Sequence, residues 1–544
     1  MVDQTQEIEM PDETGLWPRA GSGHTAPVSG LNQVHAGRHA VERLLSLALS
    51  GRLPEGLMER VCGALESMVS SEPDRLGCIK WYWEEPHPVD TNASFFTARP
   101  MVTALLVADL RPSERAAVRS LLARLRPWLH LEAVEREKWY YPNKHLGDIA
   151  TAWLIAEIDE DEAALDELRE PMLATARDLG GNWGWGEHLS DVYGHLCIDL
   201  LALLLAGAKR LDPDLRAAYQ ELFNQVIAID DAFADGPRVP TIRCYMTGTE
   251  APKARKSYRA RCADPSKSPF ERANTLLGVS DLLPAAAPVQ EQVHVACHDE
   301  VSAHACVRAS CRLGGLTRWP MMADVDHPGW GLSWQTMPAA LWHRAGWWAW
   351  PAWLAVEDGF EYGHPIRGGH KRGYLATALS RSAVPTPLGQ TRCRLRGGNL
   401  VAHRWMPRGA DTWESAGDVW CLVRPEAGSC QEQRGEGWST VQLDTPDGPL
   451  VLGHIPLDGS EPAALAQAET GERWGTMQSA AQLDPSCPMR SLWFASLDGA
   501  PTAPPTISRD GEAWIIDWEW PGQTWRLKID PTHPELLIRP FGAW

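Results

Sequence analysis

Between residues 35 and 285, apolar side chains recur at three- and four-residue intervals, the spacing that lines one face of an α-helix. HAGRHAVERLLSLALSG, EGLMERVCGALESMVS, ARPMVTALLVADL, SERAAVRSLLARLRPWLH, KHLGDIATAWLIAEI, DEAALDELREPMLATARDL, DVYGHLCIDLLALLLAGAKR and PDLRAAYQELFNQVIAIDDAF follow in turn, with Pro, Gly, Asp or Ser between them. Helices in series on short connections pack as antiparallel neighbours, in a bundle or an α/α toroid. Near 290 the period changes. HVACHDEVSAHACVRASCRL, GWGLSWQTM, NLVAHRWM, DVWCLVR, STVQLDT, PLVLGHIPL, RSLWFASL, AWIIDWEW, TWRLKID and ELLIRPF are short, rich in β-branched residues and Trp, and bounded by Gly, Pro or Asp. Several alternate with a period of two, as TWRLKID does. The expected fold is a multidomain α+β chain, an N-terminal α/α toroid followed by a C-terminal antiparallel β-sandwich. The expected division is a polar tail over 1–30, the toroid over 31–288 and the sandwich over 289–544. Residues 329–370 mix strand signals with long irregular loops.

Composition narrows the partners. The 544 residues exceed one ordinary core and carry a formal charge of -19. That charge disfavours nucleic acid or an anionic membrane as partner, but not a small anion held by a few local cations. No apolar run reaches transmembrane length. The opening MVDQTQEIEMPDETG is acidic and polar, unlike a signal peptide, so a cytoplasmic address is expected. The 12 cysteines show no CxxC pairs or zinc-finger spacing, so reduced structural thiols are expected, with neither metal nor cofactor. Tryptophan is abundant, 27 against 8 phenylalanines. Its flat apolar face with one N–H donor suits sugar rings as well as a core.

Three stretches carry candidate chemistry. In YYPNKHLGDIATAWLIAE, residues 140–157, hydrogen-bonding side chains crowd a helix mouth. Asn143 is expected as its N-cap, Lys144 as a solvated charge and His145 as a neutral imidazole in the first turn. In GGNWGWGEHLSDVYGHLCIDLLALLL, residues 180–205, Glu187, Ser190 and Tyr193 fall at steps of three and form a ridge. His188, Asp191, His195 and Asp199 form a second stripe, expected as a hydrated face. The third stretch, 235–262, is irregular and holds Arg238, Arg243, Lys253, Arg255, Lys256, Arg259 and Arg261. Arginine there suits a carboxylate.

NKH at 143–145, about fifty residues before an E-x-x-S-x-x-Y line at 187–193, resembles the heparinase II/III and alginate lyase group of polysaccharide lyases. HPGWGLSWQTM at 327–337 resembles the strand that opens the β-domain in the wider toroid lyase group. The resemblance implies β-elimination on a uronic acid: neutralise its carboxylate, remove the C5 proton and expel the 4-linked sugar. It implies an anionic oligo- or polysaccharide as partner. It assigns Asn143 to charge neutralisation, Tyr193 to acid/base work and His145 or His188 as a second base. Trp183, Trp185, Glu187, Arg238, Arg243 and His370 become substrate contacts, with Arg243 a clamp and His370 the β-domain histidine. Two other classes compete. A glycoside hydrolase needs two carboxylates flanking one bond, for which Asp148 and Glu187 are available. A non-catalytic carbohydrate-binding protein keeps the fold without the chemistry. A toroidal terpene cyclase ranks last, since no DxDD or DDxxD run ends a helix.

Overall fold

The structure is a computed structural model. It describes residues 8–135, 142–181, 189–190, 193–241, 251–252, 255–264, 268–288, 290–298, 300–319, 337–357, 360–362, 390–406, 414–468, 471–479, 481–482, 489–530 and 539–540. The chain forms two compact units. One comprises Met1–Gly180, His195–Ile227 and Tyr258–Ala285; the other comprises Gly181–Gly194, Ala228–Ser257 and Ala286–Trp544. The change of period near 290 falls close to the last switch between them. However, two stretches from the helical half, Gly181–Gly194 and Ala228–Ser257, cluster with the strands.

The helical elements are α1 (Gly37–Leu49), α2 (Leu57–Ser67), α3 (Ala93–Val107), α4 (Pro112–Val134), α5 (Pro142–Ile158), α6 (Glu162–Gly181), α7 (Tyr193–Gly207), α8 (Pro213–Ala232), α9 (Tyr258–Cys262) and α10 (Pro269–Leu276). The first eight are those the periodicity predicts, and α9 and α10 are additions. Packing sorts them into layers. Helix α1 lies on α3 and α3 on α5, whereas α2 lies on α4. Helices α3 and α5 are buried along nearly their whole length, while α2 and α4 keep exposed faces. A helix apolar all round needs neighbours on every side, and one with a polar face can border water. That division gives the inner and outer layers of an α/α toroid.

Residues 8–34 correct the expectation of a polar tail. Leu16, Trp17 and Val28 are buried, and β1 (Arg19–Ala20) pairs with β2 (Gln33–Val34). The segment is fastened to residues 82–90. His35 contacts Glu84 through Nδ1 and Asp12 through Nε2 at 2.8 Å. The Thr25 hydroxyl donates to Glu85, and His24 bridges the Tyr82 hydroxyl and Asp90.

The β-strands are β3 (Gln292–His298), β4 (Val301–Val307), β5 (Cys311–Leu316), β6 (Ala339–His343), β7 (Trp347–Glu357), β8 (Phe360–Tyr362), β9 (Gln390–Arg396), β10 (Asn399–Met406), β11 (Ser415–Val423), β12 (Cys430–Gly435), β13 (Trp438–Leu443), β14 (Leu450–Pro456), β15 (Ala464–Ala468), β16 (Gly471–Ser479), β17 (Met489–Ser496), β18 (Thr506–Asp510), β19 (Ala513–Trp520), β20 (Gln523–Ile529) and β21 (Arg539–Pro540). They form a nine-stranded sheet, β15-β16-β11-β7-β6-β5-β4-β3 with β8 on β7; a six-stranded sheet, β12-β13-β14-β17-β10-β9; and a four-stranded sheet, β18-β19-β20-β21. Every strand pairing within these sheets is antiparallel. The expected strand at 327–337 lies outside the described residues, apart from Met337.

The six-stranded sheet is the middle layer. Leu400, Ala402, Trp493 and Ala495 pack with Leu313, Trp347 and Trp420 of the nine-stranded sheet. Their chain neighbours Val401, Leu492 and Phe494 pack with Ile516, Trp518 and Trp520 of the four-stranded sheet. A strand covered on both faces has no polar side to show, which explains the apolar runs LVA in β10, LVL in β14 and LWFA in β17. Tryptophan fills these layers: Trp342, Trp347, Trp348, Trp420, Trp474, Trp493, Trp518 and Trp520 are wholly buried. The ten cysteines among the described residues are free thiols, eight of them buried.

An ion pair joins the six-stranded sheet to the nine-stranded one. Arg404 on β10 donates from Nε to Asp418 on β11 at 2.7 Å and from Nη1 to Thr391. Asp418 also accepts from the Ser491 hydroxyl and, at 2.7 Å, from Trp493 Nε1. Burial pushes the Asp418 carboxyl up, while Arg404, Ser491 and Trp493 oppose that shift. Asp418→Ala leaves the guanidinium buried beside no carboxylate, so we expect a loss of about 3–5 kcal/mol in urea unfolding. A loss under about 1 kcal/mol contradicts the pair's importance.

The His35 contacts predict a pH window. Burial disfavours the charged ring, but hydrogen bonds and charge from Glu84 and Asp12 outweigh it and raise the His35 pKa. Its contribution is full below the unfolded value of about 6.5 and fades as pH rises through the higher folded value. The Asp12 carboxyl is held low by Thr14 and His35 against its own desolvation, so its share fades as pH falls below about 4. The fastening is therefore strongest between about pH 4 and 6.5. Melting temperature against pH is expected to fall less steeply above neutrality in His35→Gln; identical curves contradict it.

Candidate functional site

Helix α5 begins at Pro142, whose missing N–H and preset φ suit the first helical position. Asn143 is therefore the second residue of the helix, not its cap. It is buried, at 3% exposure. Lys144 corrects the expectation of a solvated charge. Its side chain is buried and bonds to Glu132 of α4 and, at 2.6 Å, to Asp148 one turn along α5. Burial works against the ammonium, but Asp148 and Glu132 outweigh it and raise the Lys144 pKa above its ordinary value. Asp148, a candidate acid for the hydrolase reading, is thus the buried partner of a lysine. His145 also faces inward. It is 1% exposed, with Nε2 2.6 Å from the Thr175 hydroxyl on α6. That contact joins α5 to α6.

The second helix mouth is built differently. The Ser190 hydroxyl accepts the Tyr193 N–H at 3.2 Å, and the Ser190 carbonyl accepts the Gly194 N–H at 3.0 Å. This is N-cap geometry. Ser190 is therefore a cap and not, as expected, a ridge partner of Tyr193. Tyr193 sits in the first turn of α7, its side chain half-buried. Further along α7, Asp199 accepts from Arg99 of α3 at 3.0 Å and from Asn274 of α10. The hydrated stripe expected through it is, at that position, an internal seam. No group of His, Cys, Asp and Glu among the described residues is arranged to hold a metal.

Arg238 is 3% exposed. Its Nη1 donates to the Ser190 carbonyl and its Nη2 to Asp230 Oδ1, both at 2.8 Å. This corrects its assignment as a substrate contact: the guanidinium points into the fold. Of the basic run, Arg259 donates to the Pro284 carbonyl and Arg261 to Glu271. His188, Trp183, Trp185, Glu187, Arg243 and His370 lie outside the described residues.

Sequence reading missed Glu132, Thr175 and Asp230. The i,i+4 step from Lys144 to Asp148 was a visible signal for one pair. Nothing local marks Glu132 or Thr175, each on another helix, or Asp230, at the far side of a helix end.

The fold places this chain among proteins with a helical toroid and antiparallel sheets. It aligns with the crystal structure of heparinase III over 90% of this chain and 82% of that one, at 9% identity and a TM-score of 0.50. The crystal structure of a heparan sulfate lyase HepC mutant from Pedobacter heparinus aligns over 91% and 82%, at 9% identity and a TM-score of 0.38. Identity this low speaks for the fold alone. No protein-family model matches the chain, nor does any curated protein. No helix among the described residues is long and apolar enough to cross a membrane.

The Lys144 cluster generates a stability test. Lys144→Met strands two buried carboxylates, and we expect a loss of about 3–5 kcal/mol in chemical unfolding, with the fold retained in mild buffer. Wild-type stability in that variant contradicts the burial of the charges.

Proposed function

We propose that the protein is a polysaccharide lyase that cleaves uronic-acid-containing glycans by β-elimination. The observation that carries this reading is the fold shared with heparinase III along nearly the whole chain. The residue types at the two helix mouths support it. The C5 proton of a uronate becomes acidic only when the neighbouring carboxylate is neutralised. A carboxamide does this by hydrogen bonding, and Asn143 supplies one in a first turn, where the helix dipole also favours an anion. Tyr193, half-buried and set by a capped turn, is the group to take the C5 proton and return one to the departing oxygen. His188, Trp183, Trp185, Glu187, Arg243 and His370 remain candidates for ligand contact, with Arg243 or His370 on the carboxylate and the tryptophans on sugar rings. His145 and Arg238 are left out because both are bonded inside the fold. The substrate is an anionic oligo- or polysaccharide, and no step needs a cofactor.

The test uses oligomers of heparan, chondroitin, hyaluronan, alginate and glucuronan. Elimination leaves a C=C bond conjugated to the carboxylate, which absorbs in the near ultraviolet; hydrolysis does not. We expect rising absorbance with at least one oligomer. Tyr193→Phe is expected to lower kcat about 100- to 10,000-fold. Asn143→Ala is expected to lower it about 100- to 1,000-fold. New reducing ends without absorbance point to a hydrolase, and binding without turnover to a carbohydrate-binding protein.

A further inference from the structure

The mouth of α7 is held in place from outside the helix. Leu189 and Ser190 precede it, and each gives its carbonyl to residues 238–241. Arg238 Nη1 donates to the Ser190 carbonyl at 2.8 Å, and the Thr241 hydroxyl donates to the Leu189 carbonyl at 3.1 Å. Ser190 is in turn the cap that receives the Tyr193 N–H. The other arm of the Arg238 fork reaches Asp230, in the last turn of α8, with both side chains 5% exposed or less. The guanidinium lies flat against the first turn of α7. A β-carbon on Gly194 would stand 2.9 Å from Arg238 Cζ and Nη1, too close to exist unless something shifts.

Residues 233–241 have their own foundation. Arg312 on β5 donates from Nη1 to the Phe233 and Pro237 carbonyls at 2.9 and 2.7 Å, and from Nη2 to the Ala234 carbonyl. A β-carbon on Gly314, also on β5, would collide with the Val239 carbonyl at 2.3 Å. Thr241 pairs by backbone with Met337. A continuous run of contacts therefore leads from β5 through Arg238 to the cap of the helix that carries Tyr193.

We propose that the Arg238–Asp230 pair is a positioning device for Tyr193. It rests on the reading of Tyr193 as the acid/base group of a β-elimination. The pair acts through the Ser190 carbonyl and does not touch ligand. Two parallel needs make arginine the fitting residue: one N–H must face a carbonyl while another faces a carboxylate, which a single ammonium cannot do in the same geometry. Proton transfer tolerates little displacement of the transferring atom, so loosening the cap lowers turnover while leaving ligand affinity intact.

The experiment compares wild type, Arg238→Lys and Gly194→Ala on whichever oligomer the wild type turns over. The lysine keeps the charge and loses the fork; the alanine keeps both charges and pushes the fork away. We expect kcat to fall about 10- to 100-fold in both, with KM within about twofold of wild type. In a Tyr193→Phe background with measurable residual turnover, Arg238→Lys is expected to add no further loss. Wild-type kcat in both variants, with wild-type turnover established, overturns the positioning role and leaves the elimination reading standing. A rise in KM matching the fall in kcat, or circular dichroism showing a lost fold in both variants, also overturns it, as contact with ligand or general support. Absence of turnover by the wild type on every oligomer sinks the elimination reading, and this inference with it.

Discussion

Taking a charge out of water costs several kcal/mol even after the protein relaxes, and the cost is recovered only by a partner in good geometry. This chain does so repeatedly. Lys144 is enclosed between Glu132 and Asp148, Arg238 spans Asp230 and the Ser190 carbonyl, and Arg404 grips Asp418 between two sheets. Each cation has a carboxylate within bonding distance and joins elements that are otherwise separate in the chain. Such pairs are weak evidence for extra stability, because an apolar replacement of the same shape often does as well. Their effect is directional: the bonds each cation makes are available only in a narrow range of mutual arrangements of the joined elements.

That constraint bears on function because two of the three pairs sit at helix mouths. The first turn of a helix has N–H groups without intrahelical partners, and a mouth packed inside a protein must settle them. At α5 the first-turn residues Asn143, Lys144 and His145 are all buried, the lysine and the histidine bonded to neighbouring helices. At α7 a serine cap is itself gripped by an arginine. A side chain on a turn held this way has few alternative positions, which is what positioning an amide or a phenol against a reacting atom requires. The β-layers meet a similar demand with apolar matter. The six-stranded sheet is covered on both faces, indole rings stand among the aliphatic side chains of both layers, and most of the chain's tryptophan that the structure describes is core.

Much of the fold was legible in the residues. Eight helical segments and most strands are where periods of 3.6 and 2 put them, and the order of helices before strands is the one expected. The misses have physical causes. β12 (CQEQRG) and β16 (GERWGTMQS) carry too few β-branched or apolar residues to announce themselves. Helix α10 runs for only 8 residues, too few for a clear stripe. At the candidate site, the nearness of Asn143 and Tyr193 to helix starts was legible, but Asn143 was expected as the cap and is the second helical residue, and the surroundings of both were not legible. Lys144 read as surface because lysine is almost never buried without a partner, and one partner, Glu132, lies on the preceding helix.

Taken alone, the sequence determined which kind of element each stretch forms and in what order, because helix and strand periods are written in near neighbours. Tertiary structure decided which sheet is central, which cations are enclosed, and that Arg238 is bonded between the Ser190 carbonyl and Asp230. Those outcomes depend on what packs against the far side of each element, and that partner belongs to another element, beyond the reach of a local period.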